Sequence, residues 1–159
     1  MRRDILLLGD PRLYAVSEPV KEAELAEVLA AANDLRDTLY DFRTRYQAGR
    51  AIAAPQIGIF KRLIYLEVDQ PVILINPELT FPDDVQMTLW DDCMSFPQLL
   101  VQVQRYKRCQ VRYRDAHWRL CQQAWEGDLA ELIQHEYDHL DGILATMRAR
   151  DSRSFALKK

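Results

Sequence analysis

Apolar residues recur at helical spacing between 22 and 46: Leu25, Val28, Leu29, Ala32, Leu35, Leu39, Phe42 and Tyr46, with charges on the other side. Such a stripe buries one face of a helix against a core. From 50 to 124 the period shortens. Runs at 62–68, 72–76, 85–90, 99–104, 109–114 and 118–122 read as strands, and several alternate polar and apolar. Pro71, Pro77, Pro82 and Asp115-Ala116-His117 mark breaks between them. A second helix is predicted from about 128 to 141, with Leu129, Leu132, Ile133, Glu136 and Leu140 along one broad side. Asp128 followed by Glu131 reads as a capping box with Asp128 as N-cap, and Gly142 sits where a helix-ending glycine belongs. There is no internal repeat, low-complexity tract or linker, so residues 1–159 are expected to form one domain.

Charge and composition narrow the function classes. The net charge of −3 provides no basic surface for direct nucleic-acid binding. No stretch approaches the ~18 apolar residues of a membrane span. The apolar run Ile5-Leu6-Leu7-Leu8 before Gly9-Asp10-Pro11 is too short for a signal-peptide core. Cys93, Cys109 and Cys121 are an odd count without framework spacing, which suits a reducing cytoplasm.

The chemistry concentrates in Gln134-His135-Glu136-Tyr137-Asp138-His139. Four residues advance about 400° around a helix, so His135 and His139 point the same way and can share one metal ion. Glu136, beside the first histidine, can reach a water activated there. A carboxylate within an apolar stripe is costly to bury unless it is paired, which favours a working role. A third protein ligand is needed if one position is to stay open, and Cys93 is the candidate. Its alternative is a small buried hydrophobe, the reading given to Cys109 and Cys121.

Three separated motifs, taken in order, resemble those of the peptide deformylase family. Gly49-Arg50-Ala51-Ile52-Ala53-Ala54-Pro55-Gln56 is similar to Gly-x-Gly-Leu-Ala-Ala-Pro-Gln. Asp91-Asp92-Cys93-Met94-Ser95 is similar to Glu-Gly-Cys-Leu-Ser. Gln134 to Gly142 fits Gln-His-Glu-x-Asp-His-Leu-x-Gly throughout. The family's α+β architecture, short mixed or antiparallel sheets packed around the metal-binding helix, fits the pattern above. The resemblance implies an enzyme that removes the formyl group from N-formylmethionyl peptides, using one divalent metal on Cys93, His135 and His139. It implies Fe²⁺ in the cell, although such a ligand set also accepts Zn²⁺, Ni²⁺ or Co²⁺. Glu136 becomes the proton carrier. The Gln56 amide is suited to donate to the oxyanion, and the Met94 backbone N–H donates by resemblance.

Departures from the motifs bear on the substrate. Arg50 stands where the family often has an apolar residue near the pocket for the methionine side chain, and Ala51 and Asp92 replace glycines. Arg50 is expected to swing outward and leave its methylene stem at the pocket wall. An alternative substrate, another N-formyl or N-acyl compound, follows if it points inward. Asp138 either orients a ligand histidine or is solvated, and Arg105 either pairs with Asp91 or is a solvated strand residue. His117 reads as exposed. The basic tail, Arg148, Arg150, Arg153, Lys158 and Lys159, allows at most a weak ribosome contact. Two other readings compete. A zincin-type endoprotease would need a further ligand after His139, where only acids remain. A closed structural metal site would need Cys109 or Cys121 as fourth ligand.

Overall fold

The computed structural model describes all residues from Met1 to Lys159. Helix α1 spans Leu25–Tyr46 and is followed by seven strands: β1 Ala51–Ala53, β2 Leu63–Glu67, β3 Pro71–Thr80, β4 Gln86–Asp91, β5 Leu99–Tyr106, β6 Arg108–Arg114 and β7 Leu120–Glu126. Helix α2, Asp128–Leu140, comes next, and strand β8, Phe155–Leu157, lies near the end. The strands form two antiparallel sheets, one ordered β1-β2-β3-β6-β7 and one ordered β4-β5-β8. This is the expected α+β arrangement.

The larger sheet lies between the two helices. Along β2, Leu63 and Tyr65 join Leu35, Leu39 and Phe42 of α1 in one cluster. Ile64 and Leu66 join Ala130, Leu132, Ile133 and Leu140 of α2 in another. Successive strand side chains point to opposite faces, so β2 is apolar without interruption because both its faces are covered. Leu35, Leu39, Ile64 and Ile133 are fully buried. Burying a side chain of that size contributes about 1.5–3 kcal/mol.

Several boundaries differ from the sequence reading. Pro77 does not end a strand. It sits inside β3 at a register shift between Ile75 and Glu78, with Asn76 in the left-handed region at φ 51°. The Asn76 side chain secures the irregularity by bonding the backbone N–H and carbonyl of Val20, each at 2.8 Å. The last strand of the larger sheet starts at Leu120, because Trp118 has φ 62° and belongs to the turn. There, Asp115 Oδ1 accepts from the N–H groups of His117 and Arg119. β1 and β8 are three residues each, too short to show a period.

The α2 capping box is also corrected. Gly127 is the N-cap, no side chain caps the helix, and Asp128 is its first residue. The Glu131 side chain turns instead to Arg50. Gly142 does follow the helix as expected, at φ 72°, and a Cβ there would run into the Tyr14 carbonyl.

Candidate metal centre and active-site cleft

Three elements converge on one point. Helix α2 presents His135 and His139 from adjacent turns, with ring centroids 5.1 Å apart. Cys93 follows the end of β4 in the loop to β5. Gln56 lies on the 3₁₀ turn Ala54–Ile57 after β1. Donor atoms of Cys93, His135 and His139 all lie within 4.8 Å of one another, and all three residues are buried. Cys93 Sγ is 3.3 Å from His139 Nε2. Cys109 and Cys121 are outside this cluster and unpaired, so neither supplies a fourth ligand to close it.

An acid behind the cluster sets the orientation of His135. Its Nδ1 donates to Asp91 Oδ2 at 2.9 Å, which in the neutral ring leaves the lone pair on Nε2. Asp91 also accepts from Arg105 Nη2 at 2.8 Å, and Arg105 Nη1 donates to Asp138 at 2.7 Å. Arg148 grips the same Asp138 at 2.5 and 2.9 Å. Of the two readings left open for Arg105 and Asp138, the solvated one fails for both. Asp138 is buried but bonds arginines, and it is Asp91 that holds the histidine. His139 Nδ1 has no hydrogen-bond partner.

The electrostatics fit a cation. Burial works against the charge of Asp91, but His135 and Arg105 outweigh it and hold the carboxyl at about 2. Burial likewise opposes a charged His135, yet Asp91 and Cys93 raise its pKa well above the ordinary value. The negative charge of Asp91 behind His135 favours positive charge at this point, and a metal ion there would have to displace the proton. Burial, reinforced by His135, lowers His139 and leaves it a neutral imidazole. Glu136 is 2% exposed. Burial lifts its carboxyl to about 7.

Gln56 is held on both sides of its amide. Its Oε1 accepts from Ala53 N–H at 3.0 Å, and its Nε2 donates to Ser95 Oγ at 3.0 Å and faces Cys93 Sγ at 3.6 Å. The buried Met94 follows Cys93, and its side chain packs in the α1 core.

A cleft of about 320 Å³ opens onto Cys93, His135 and Glu136, with Phe42, Ala48, Ala51, Met94 and Leu132 on its walls. Arg50 and Lys158 also line it. The outward, solvated pose expected for Arg50 is not the one found. Its Nη2 donates to Glu131 Oε1 at 2.6 Å, with the guanidinium half-buried and Glu131 buried. Neither this pair nor the ion pair of Lys158 with Asp92 at 2.9 Å follows from the linear motifs. One signal was available for Glu131: it lies four residues before His135 and so shares its helix face.

One thiol and two imidazoles around an open cleft, with a buried carboxyl beside them, are the parts of a metal-dependent hydrolase. The model of the polypeptide deformylase family matches residues 2–155. The chain belongs to that family, whose members remove the N-formyl group from new proteins. A peptide deformylase of Pseudothermotoga lettingae is 33% identical over all of this chain and 90% of its own length. The crystal structure of peptide deformylase from Thermotoga maritima matches with a TM-score of 0.86 at 30% identity, covering 95% of this chain and 99% of that one. A class I type b peptide deformylase from Acinetobacter baumannii, crystallised with Met-Ala-Ser bound, matches with a TM-score of 0.84 at 26% identity, covering 93% of this chain and 98% of that one.

Proposed function

We propose that this chain hydrolyses the formamide of N-formylmethionyl peptides, with Cys93, His135 and His139 holding one divalent metal ion and Glu136 carrying the proton. The observation that supports this most is the convergence of the three donors within 4.8 Å, next to a buried carboxyl at the mouth of a cleft. We take residues 1–159 as one catalytic unit, acting in a reducing cytoplasm where its three cysteines stay free. Fe²⁺ is the proposed cellular metal, with Zn²⁺, Ni²⁺ and Co²⁺ accepted by the same ligands.

A metal held by Cys93, His135 and His139 would supply Lewis acidity for the attack of water on the formyl carbonyl. Glu136 takes a proton from the attacking water. As the C–N bond breaks, it returns that proton to the leaving amine, giving formate and a free peptide N-terminus. Its elevated pKa suits both halves of that task. The Gln56 amide, clamped at Ala53 and Ser95, donates to the oxygen that gains negative charge, and the Met94 N–H donates beside it. Removing one such donor typically lowers the rate about 10²–10³-fold. Asp91 and Arg105 keep His135 in the required tautomer. We expect no strong ribosome anchor in the tail, because Arg148 and Lys158 are engaged by Asp138 and Asp92.

The test is an anaerobic formate-release assay with formyl-Met-Ala-Ser, alongside analysis of bound metal. The expected result is turnover proportional to metal content at about one ion per chain. Full activity without metal, or no turnover by metal-loaded protein, would overturn the reading.

A further inference from the structure

The segment that precedes α1 runs alongside the site on a path that its side chains do not explain. Leu7 and Leu8 are 57% and 40% exposed, so apolar burial is not what holds them there. The backbone makes the contacts. The Leu6 N–H donates to the Gln56 carbonyl at 2.8 Å, and the Leu8 N–H donates to the Ser95 carbonyl at 2.9 Å. Gln56 and Ser95 are themselves joined by the 3.0 Å bond from Gln56 Nε2 to Ser95 Oγ. The three bonds close a ring through Leu6, Gln56, Ser95 and Leu8. The Leu7 N–H, between the two donors, has no partner within the chain. Both ends of the segment are fixed elsewhere. The Arg3 N–H donates to Thr38 Oγ1 of α1 at 2.9 Å, Leu13 is buried, and the Ser17 N–H donates to the Leu140 carbonyl at the end of α2 at 2.8 Å.

We propose that residues 5–8 form a strap that aligns the two oxyanion donors, with Leu6 and Leu8 as positioning residues acting through their backbone N–H groups. The inference rests on the deformylase reading of the same site, which puts the Gln56 amide and the Met94 N–H on the oxygen that gains charge. These donors come from distant parts of the chain, Gln56 from the turn after β1 and Met94 from the loop after β4. Gln56 Nε2 carries two hydrogens. One bonds Ser95, which aims the other at the substrate oxygen. A single bond between the two segments fixes their distance and lets them rotate about it. The strap adds a second tie between the same two residues through their main chains, and two ties fix orientation as well. Alignment of this kind acts where charge develops, in the transition state, and so belongs to kcat more than to KM. A donor displaced by ~1 Å can cost about 100-fold in rate. The pinned ends of the segment limit the displacement when one tie is lost, so the expected loss is about tenfold.

The experiment removes each tie without touching a side chain. Leu6 or Leu8 is replaced by its α-hydroxy acid through nonsense suppression, which turns the amide N–H into an ester oxygen. The same replacement at Leu7 deletes an N–H that binds nothing and serves as the control. On formyl-Met-Ala-Ser, the metal-loaded Leu6 and Leu8 esters should each lose about tenfold in kcat, with KM within about twofold and metal content unchanged. The Leu7 ester should match the wild type. In a Gln56→Ala background the Leu6 ester should cost less than about twofold, because the donor that it aligns is gone. A tie that serves folding alone would cost the same in both backgrounds, and that result overturns the inference. So does wild-type kcat in folded, metal-loaded Leu6 and Leu8 esters, or a Leu7 ester as slow as the other two. Hydrogen exchange in the unaltered enzyme requires no variant to fold. The Leu6 and Leu8 amides should be protected by about tenfold or more over Leu7, and equal exchange at the three positions overturns the inference. Formate release by the wild type with any of these contrary results leaves the deformylase reading standing without the strap. Failure of the metal-loaded wild type to hydrolyse any formyl peptide removes both.

Discussion

Asp91 holds His135 in place: its Oδ2 lies 2.9 Å from the imidazole Nδ1, and the same oxygen accepts from Arg105 at 2.8 Å. One buried carboxylate thus fixes the ring that completes the donor set, and a buried arginine in turn fixes the carboxylate. Asp91→Asn keeps the shape but removes the charge. Metal affinity should fall about 10–100-fold, the usual consequence of losing an outer partner of a ligand histidine. Arg105 loses one of its two carboxylate partners but keeps Asp138, so global stability should fall by about 1–3 kcal/mol. Competition with a chelating dye and denaturant unfolding measure the two effects. Unchanged affinity would mean that helix packing alone orients His135.

Glu136→Gln preserves volume but cannot accept a proton. Metal content should be retained, and kcat should fall about 10²–10⁴-fold. Turnover near the wild-type rate in metal-replete protein would assign the proton transfer to another group.

Dialysis against a chelator should abolish formate release, and adding back Fe²⁺ or Ni²⁺ under anaerobic conditions should restore it. The ion binds the folded chain preferentially, so its removal should lower thermal stability as well. The loss is about 2.7 kcal/mol where free metal was 100 times the Kd. Cys93→Ala should retain neither the ion nor the rescue. A metal-replete, active Cys93→Ala protein would exclude Cys93 from the ligand set.

Gly142→Ala tests the end of α2. The residue is at φ 72°, and an added Cβ would collide with the Tyr14 carbonyl. The expected loss is about 1–3 kcal/mol, the usual cost of forcing a sparsely populated backbone conformation. A denaturant midpoint equal to the wild type would show that the N-terminal segment around Tyr14 yields without cost.

The parts of the molecule legible in the linear sequence are those governed by short-range periodicity. The α1 stripe from Leu25 to Phe42, the six strands between 62 and 126 and the α2 pattern each span several repeats of their period, and each appears with boundaries shifted by a few residues. β1 and β8 span three residues and show no period at all. Pro77 reads as a break because its ring removes a donor. The sheet instead absorbs it at a register shift that Asn76 secures through Val20, 56 residues away in sequence.

The donor set was legible for a related reason. His135 and His139 are placed by helix geometry alone, and Cys93 and Gln56 stand in motifs whose residue types declare their chemistry. Which partner each charged side chain finds was not legible. Arg50 with Glu131 is separated by 81 residues, Arg105 with Asp138 by 33, and Arg148 reaches that same Asp138 from beyond the helix. A local reading gave Glu131 to a helix cap and Arg50 to solvent. Both are plausible for an isolated segment, because water or the nearest backbone is then the only partner. Burial changes the balance: when α2 packs on β1, each charge loses water and must find an opposite charge within reach, whatever the distance along the chain. The sequence by itself therefore determined the two helices, the longer strands and the residue types of the proposed metal donors. The tertiary structure decided the ion pairs behind and beside them, because those depend on which distant charges are desolvated together.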